Sequence, residues 1–189
     1  MATAIYSTTA QEGIDINSVF ILSTGTPEYP RPPFVPGELA WGTDGSEWIY
    51  STASITIAAG SVVVFSEVPA SWSVALIGGS AAAANFGQLI GVVGGASGTM
   101  VVPAPASPQT GTFFWTQVAG NCPNVKTLAS TTASAQLYTV AATGGVVFST
   151  TPGAASGSSI VGMVISQAAG STAGPNTAVL NNPTVGAST

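Results

Sequence analysis

Eight of the nine charged side chains lie at or before position 67, and positions 68–189 carry a single charge, Lys126. Soluble sheet proteins guard exposed strand edges with Lys and other charges. A stretch this long without them must close its edges on itself or cover them with other subunits. The chain is 5% charged against about 25% in ordinary soluble domains, so the deficit is too large to be local. All seven acids (Glu12, Asp15, Glu28, Glu38, Asp44, Glu47 and Glu67) fall in the N-terminal third.

The same arithmetic removes several functions. Two cations, Arg31 and Lys126, in a chain of net charge −5 release few phosphate counterions, so no nucleic-acid partner is expected. An anionic membrane surface repels such a chain as well. The chain has no His, which removes His-dependent triads and the commonest metal ligand. Cys122 is the sole cysteine, so neither an internal disulfide nor a cysteine zinc cluster is possible. Met1 to Tyr6 offers no basic, then apolar, leader, so no secretory signal is expected and the chain is expected to be made in a host cytoplasm.

High hydropathy raises the question of a membrane span. The best window, Val74 to Ala96, is 23 residues without charge, but nine are Gly, Ser, Asn or Gln and much of the rest is Ala. Its insertion energy is thin, and a buried strand pair around a small-residue loop is expected instead.

The local signals are those of β-structure. Glu38 to Tyr50 reads as a hairpin turning on Asp44-Gly45, a favoured two-residue turn, between Leu39-Ala40-Trp41 and Trp48-Ile49-Tyr50. Ile55 and Ile57 alternate with polar residues, and Val62 to Phe65 is an apolar run that suits a strand covered on both faces. Further strands are predicted at 72–77, 88–93, 99–102, 112–118, 136–140, 146–149, 160–165 and 177–180. Helix signals are weak, because no long stretch shows apolar residues at three-to-four spacing with charged partners, and 23 Gly and 13 Pro interrupt most candidates. Residues 55–66 align without gaps on 138–149, with seven of twelve positions identical. Biased composition generates such matches by itself; the alternative is a pair of related strand-turn-strand units.

The segment before the hairpin differs in kind. Residues 27–36 hold five prolines and are predicted to run extended, largely as polyproline II. Such a stretch serves as a spacer, as a ligand for an aromatic groove, or as an arm on a neighbouring subunit. The arm is favoured, with Tyr29, Pro30, Pro32, Pro33, Phe34, Val35 and Pro36 as its candidate contact residues. The apolar residues before it (Ile14, Ile16, Val19, Phe20, Ile21 and Leu22) suit a further strand or docking segment. At 189 residues the chain is one β domain, 38–189, preceded by an N-terminal segment and arm, 1–37.

Catalytic and ligand readings are weak. Glu38, Asp44, Glu47 and Glu67 are candidates for a glycosidase carboxylate pair, but Asp44 is explained by turn chemistry and Glu47 by a solvated hairpin face. Glu12 and Asp15 are separated by Gly13, and calcium needs more converging oxygens than so few acids supply. Cys122 without a His reads as an inert buried thiol. Trp41, Trp48, Trp72 and Trp115 suit a sugar-stacking platform, yet aromatic residues in strands are more often core. No enzymatic activity and no cofactor or metal is expected.

Several stretches resemble the capsid decoration (cement) proteins of tailed bacteriophages. They are Glu38 to Tyr50 with Ala53-Ser54 and Ile57 to Val63; Gln88 to Val93 followed by Gly111 to Gly120, which carries a Trp-x-Gln-x-x-Gly pattern; and Gly145-Val146-Val147, Ile160 to Val164 and Ala178 to Pro183. The resemblance covers roughly residues 38–183. It implies a compact β-barrel or jelly-roll-like domain on the outer face of the head, often a homotrimer, that binds the major capsid protein and stabilises the shell. Residues 100–108 look like an insertion, and the arm before residue 38 has no counterpart. The alternative from another class is a carbohydrate- or receptor-binding module of a phage fibre or surface adhesin; a third reading is a shell subunit proper.

Overall fold

The computed structural model describes residues 5–6, 15–16, 18–21, 32–53, 55–66, 71–78, 87–94, 101–102, 111–140, 144–149 and 157–188. These form fourteen strands and no helix: β1 (Ile5–Tyr6), β2 (Val19–Ile21), β3 (Leu39–Gly42), β4 (Glu47–Ala53), β5 (Ile57–Ala58), β6 (Val62–Phe65), β7 (Val74–Leu76), β8 (Ile90–Val93), β9 (Val101–Val102), β10 (Thr112–Thr127), β11 (Leu137–Thr139), β12 (Val147–Phe148), β13 (Ser158–Ile165) and β14 (Gly174–Ser188). Twelve belong to one mixed sheet, and β5 pairs with β9 in a second.

The 16-residue strand β10 organises the molecule. Its first half is apolar at both parities, and both faces are covered, as such a pattern requires. Phe114 and Val118 face Ile49, Ala53, Val63, Phe65 and Val93. Phe113 and Trp115 face Ile16, Ala40, Trp48 and Tyr50, with Phe20 and Phe34 packed alongside. Along one edge β10 pairs with β4, from Thr112↔Ala53 to Gln117↔Trp48. Along the other it pairs with β2 and then β8.

Sequence patterning predicts that this strand stops at Val118, because Gly120 and Pro123 follow. It continues to Thr127 because each breaker lies at an irregularity. Gly120 takes φ +91° just after a register shift between Gln117 and Ala119, and Pro123 lies within a second shift between Cys122 and Val125. A bulge tolerates the missing N–H of proline.

The second half of β10 builds a closed circuit. It pairs antiparallel with β14, β14 with β13, β13 with β11 and β11 with β12. Strand β12 then meets β10 in parallel at Val147↔Thr127. This five-stranded barrel is filled by Cys122, Val125, Leu137, Val147, Ile160, Met163, Ile165, Ala178, Leu180 and Val185, with Val62, Val64, Ile77, Ile90 and Val92 of the β6–β8 region in the same core. The all-β, barrel-forming architecture expected from the sequence is thus present, and closure removes sheet edges that the chain has no charges to guard.

Two local expectations are corrected. The hairpin β3–β4 forms, with Leu39↔Ile49, Ala40↔Trp48 and Trp41↔Glu47 in register, but Asp44-Gly45 is not a two-residue turn. Gly45 N–H donates to Gly42 C=O at 3.0 Å, and Gly42 N–H to Ser46 C=O at 2.7 Å. Asp44 and Gly45 are therefore the third and fourth residues of a wider turn, in which Gly45 alone of the pair has positive φ, +81°. The two aligned segments also pair differently. β11 and β12 form a hairpin, Tyr138↔Phe148 and Thr139↔Val147, whereas β5 joins β9 and β6 joins β7 and β8. The turn between β5 and β6, closed by Ser61 N–H to Ala58 C=O at 3.1 Å, carries the chain from one sheet to the other. The copies do touch at aligned positions, where Val62 N–H donates to Gly145 C=O at 2.9 Å.

Candidate assembly surface

Tyr29 and Pro30 lie outside the described residues, as does Glu67; Pro32 to Pro36 are described. The end of the proline-rich segment is not extended. Glu38 N–H donates to Val35 C=O at 2.9 Å around Pro36-Gly37, with Gly37 at φ +90°, the positions proline and glycine take in a type II turn. Gly37 N–H and Glu38 C=O both bond Tyr50, at 2.8 and 2.9 Å, so the turn is tied to β4. Phe34 consequently folds onto its own chain, edge-on to Tyr50 and Trp115 with ring centroids 5.3 and 5.1 Å away. Val35 points outward and is 72% exposed. Among the described arm residues Pro33 and Val35 are exposed, whereas Phe34 packs against the aromatic core.

Sequence reasoning did not single out a second surface, on the barrel wall. Val164 and Val179 are direct partners across β13 and β14, and Val179 is flanked on its other side by Asn121 of β10. Val161, Val164 and Val179 are 57%, 44% and 49% exposed. A register shift between Val161 and Met163 sits at Gly162, φ +82°, and leaves Val161 and Val164 outward while Ile160, Met163 and Ile165 fill the barrel. The signal was present: 160–165 is apolar at both parities, which leaves a second apolar face once the first is buried. No charged residue lies in β13 or β14, and Lys126 is the sole charge of β10.

The polar groups near the hairpin satisfy one another. Trp48 Nε1 donates to Ser46 Oγ at 2.8 Å, and Ser46 donates from Oγ and from its backbone N–H to Asp44 Oδ1, at 2.7 and 3.0 Å. Burial pushes the Asp44 carboxyl upward, but these hydrogen bonds outweigh it and hold its pKa below the ordinary 3.8. Glu38 accepts from Val35 N–H at 3.2 Å. Asp44 and Glu38 thus each serve a local turn. Cys122 is fully buried, and that burial pushes its thiol up to about 12, against a weaker downward pull from the Asn124 backbone. Among the described residues no group of three or more His, Cys, Asp or Glu is placed to hold a metal ion.

The tryptophans are dispersed. Trp48 and Trp115 lie in the aromatic core, and Trp72 is half-buried edge-on to Phe65 at 6.0 Å; Trp41 is 40% exposed. Inside that core the Tyr50 hydroxyl and Trp115 Nε1 are buried without hydrogen-bond partners among the described residues, and burial raises the tyrosine pKa.

Among the described residues no helix is long and apolar enough to cross a membrane; Val74–Leu76 and Ile90–Val93 of the apolar window are strands. No family model matches the chain, and neither the curated proteins nor the solved structures compared with it yield a match.

Proposed function

We propose that the chain is a structural, non-enzymatic virion protein that decorates the outer face of a tailed-phage head, as a homotrimer bound to the major capsid protein. The observation that carries this reading is the exposed valine face of β13 and β14, two strands without a charged residue. Three exposed valines on one sheet face, with no charge beside them, form an apolar patch of the kind that marks a protein contact. The resemblance of residues 38–183 to decoration proteins supplies the partner. Net charge −5 disfavours a place against packaged DNA and favours the outside of the shell. Val35, outward beside a turn tied to β4, is the second candidate contact.

Light scattering and co-sedimentation with preformed capsid shells test the proposal. A trimer that pellets with shells is expected, and replacing Val161, Val164 and Val179 by Thr is expected to weaken assembly or pelleting at least tenfold while leaving the fold intact. A stable monomer without affinity for shells sinks the idea. The carbohydrate- or receptor-binding alternative needs exposed stacking rings, and three of the four tryptophans are covered or half-covered. Self-assembly of the isolated protein into closed particles would favour the shell-subunit reading instead.

A further inference from the structure

Lys126 stands where the two aligned sequence segments meet. It pairs with Pro175 of β14, and its backbone N–H donates to Gly60 C=O at 2.9 Å. Gly60, at φ +75°, lies so close to β10 that a Cβ there would overlap the Asn124 carbonyl. The glycine turn therefore lies flat on the strand and delivers Ser61, whose Oγ accepts from Lys126 Nζ at 3.2 Å. Lys126 and Asn124 also line a recess of about 340 Å³ with Ala59, Leu128, Val146 and Pro175. Ala59 comes from the first aligned segment and Val146 from the second.

Size, lining and charge point the same way. Small-molecule pockets run from roughly 300 to 1,000 Å³ and combine mainly apolar walls with a few placed polar groups. An ammonium carries three donors, and Ser61 takes one; among the described residues no carboxylate pairs with Lys126. A half-buried cation beside apolar walls favours an anion that brings its own apolar body. A single ammonium is a compact point charge that matches the single charge of a carboxylate.

We infer that this recess binds a small carboxylate with an apolar body, its head on Lys126 Nζ and its chain against Ala59, Leu128 and Val146. The inference does not depend on the decoration role. Hexanoate, hexanol and hexylamine, titrated separately into the full chain and followed by amide NMR, test it. Hexanoate is expected to give saturable shifts at Ala59, Leu128 and Val146, with hexanol about tenfold weaker and hexylamine weaker still, since one charge-assisted hydrogen bond is worth about a factor of ten or more. Lys126→Met keeps the aliphatic stem and is expected to bring hexanoate down to the hexanol level; Lys126→Arg is expected to retain binding. Equal affinity for hexanoate and hexanol in the unmodified chain overturns the inference, as do shifts away from the recess, an absence of binding, or undiminished hexanoate binding by Lys126→Met. If Lys126→Met fails to fold, the comparison of the three probes on the unmodified chain still decides.

Discussion

Single residues in this protein are set by hydrogen-bond accounting more than by charge. The Tyr50 hydroxyl is buried with no partner among the described residues, and an unsatisfied buried donor costs about 1–3 kcal/mol. Tyr50→Phe keeps the ring contacts with Phe34, Phe113 and Trp115, so it is expected to raise stability by about 1 kcal/mol in urea unfolding. Asp44 behaves oppositely. Its folded pKa is depressed, so its contribution is present above the ordinary value of 3.8 and is lost as pH falls through the folded value. Asp44→Ala is expected to cost about 0.5–1 kcal/mol at pH 7, and the gap from the unmodified protein should close as the urea midpoint is followed below pH 4. The dipeptide Asp44-Gly45 was legible as a hairpin signal. The width of its turn was not, because a glycine that accepts positive φ suits a two-residue turn and a three-residue loop alike.

At the scale of elements, apolar runs were read well and breakers were over-read. Val62–Phe65 and Ile90–Val93 are strands where the pattern places them, since continuous apolar runs need two covered faces. β10 and β14 run far beyond their predicted ends, 118 and 180, because Pro123 and Pro183 are absorbed at irregular positions of the ladders and Gly120 follows one directly. Asn182 follows the same logic with φ +44°. Pairing partners were not legible: β5 and β11 occupy aligned segments yet join different strands, a choice made by tertiary packing. The strands should differ in protection accordingly. Hydrogen exchange is expected to be slowest at 113–117 of β10, which pairs with β4 on one edge, with β2 and β8 on the other, and is covered on both faces, and faster at β11 and β12. Val147→Ala, in the fully buried partner of Thr127, is expected to cost about 2 kcal/mol. It should speed exchange at 137–139 before it affects 113–117.

For the whole molecule, the charge asymmetry forecast closure or cover, and closure is visible. The barrel closes, and the valine face of β13 and β14 is left exposed. The candidate assembly residues were only partly legible. Phe34 looked like an arm contact because it is a large apolar side chain among prolines, but the turn at Pro36-Gly37 returns it to its own core. The valine face escaped notice because exposure depends on which parity the barrel buries. Trp41 is the one tryptophan of the four classed as exposed, so acrylamide should quench a minor part of the emission. Trp41→Phe is expected to remove most of that quenchable part; extensive quenching after the substitution would instead place the aromatic core in contact with solvent.

The circuit of five strands is completed by the Thr127↔Val147 bridge, with one further bond from Leu128 N–H to Val147 C=O at 3.1 Å, whereas β14 is stitched to its neighbours along most of its length. Mechanically the barrel is therefore a clasp rather than a weld. Load applied along β10 and β14 is shared by many bonds in shear, while load applied across the β10–β12 seam falls on a few, so the wall gives way there first and swings the β11–β12 hairpin outward with the rest of the ladder intact.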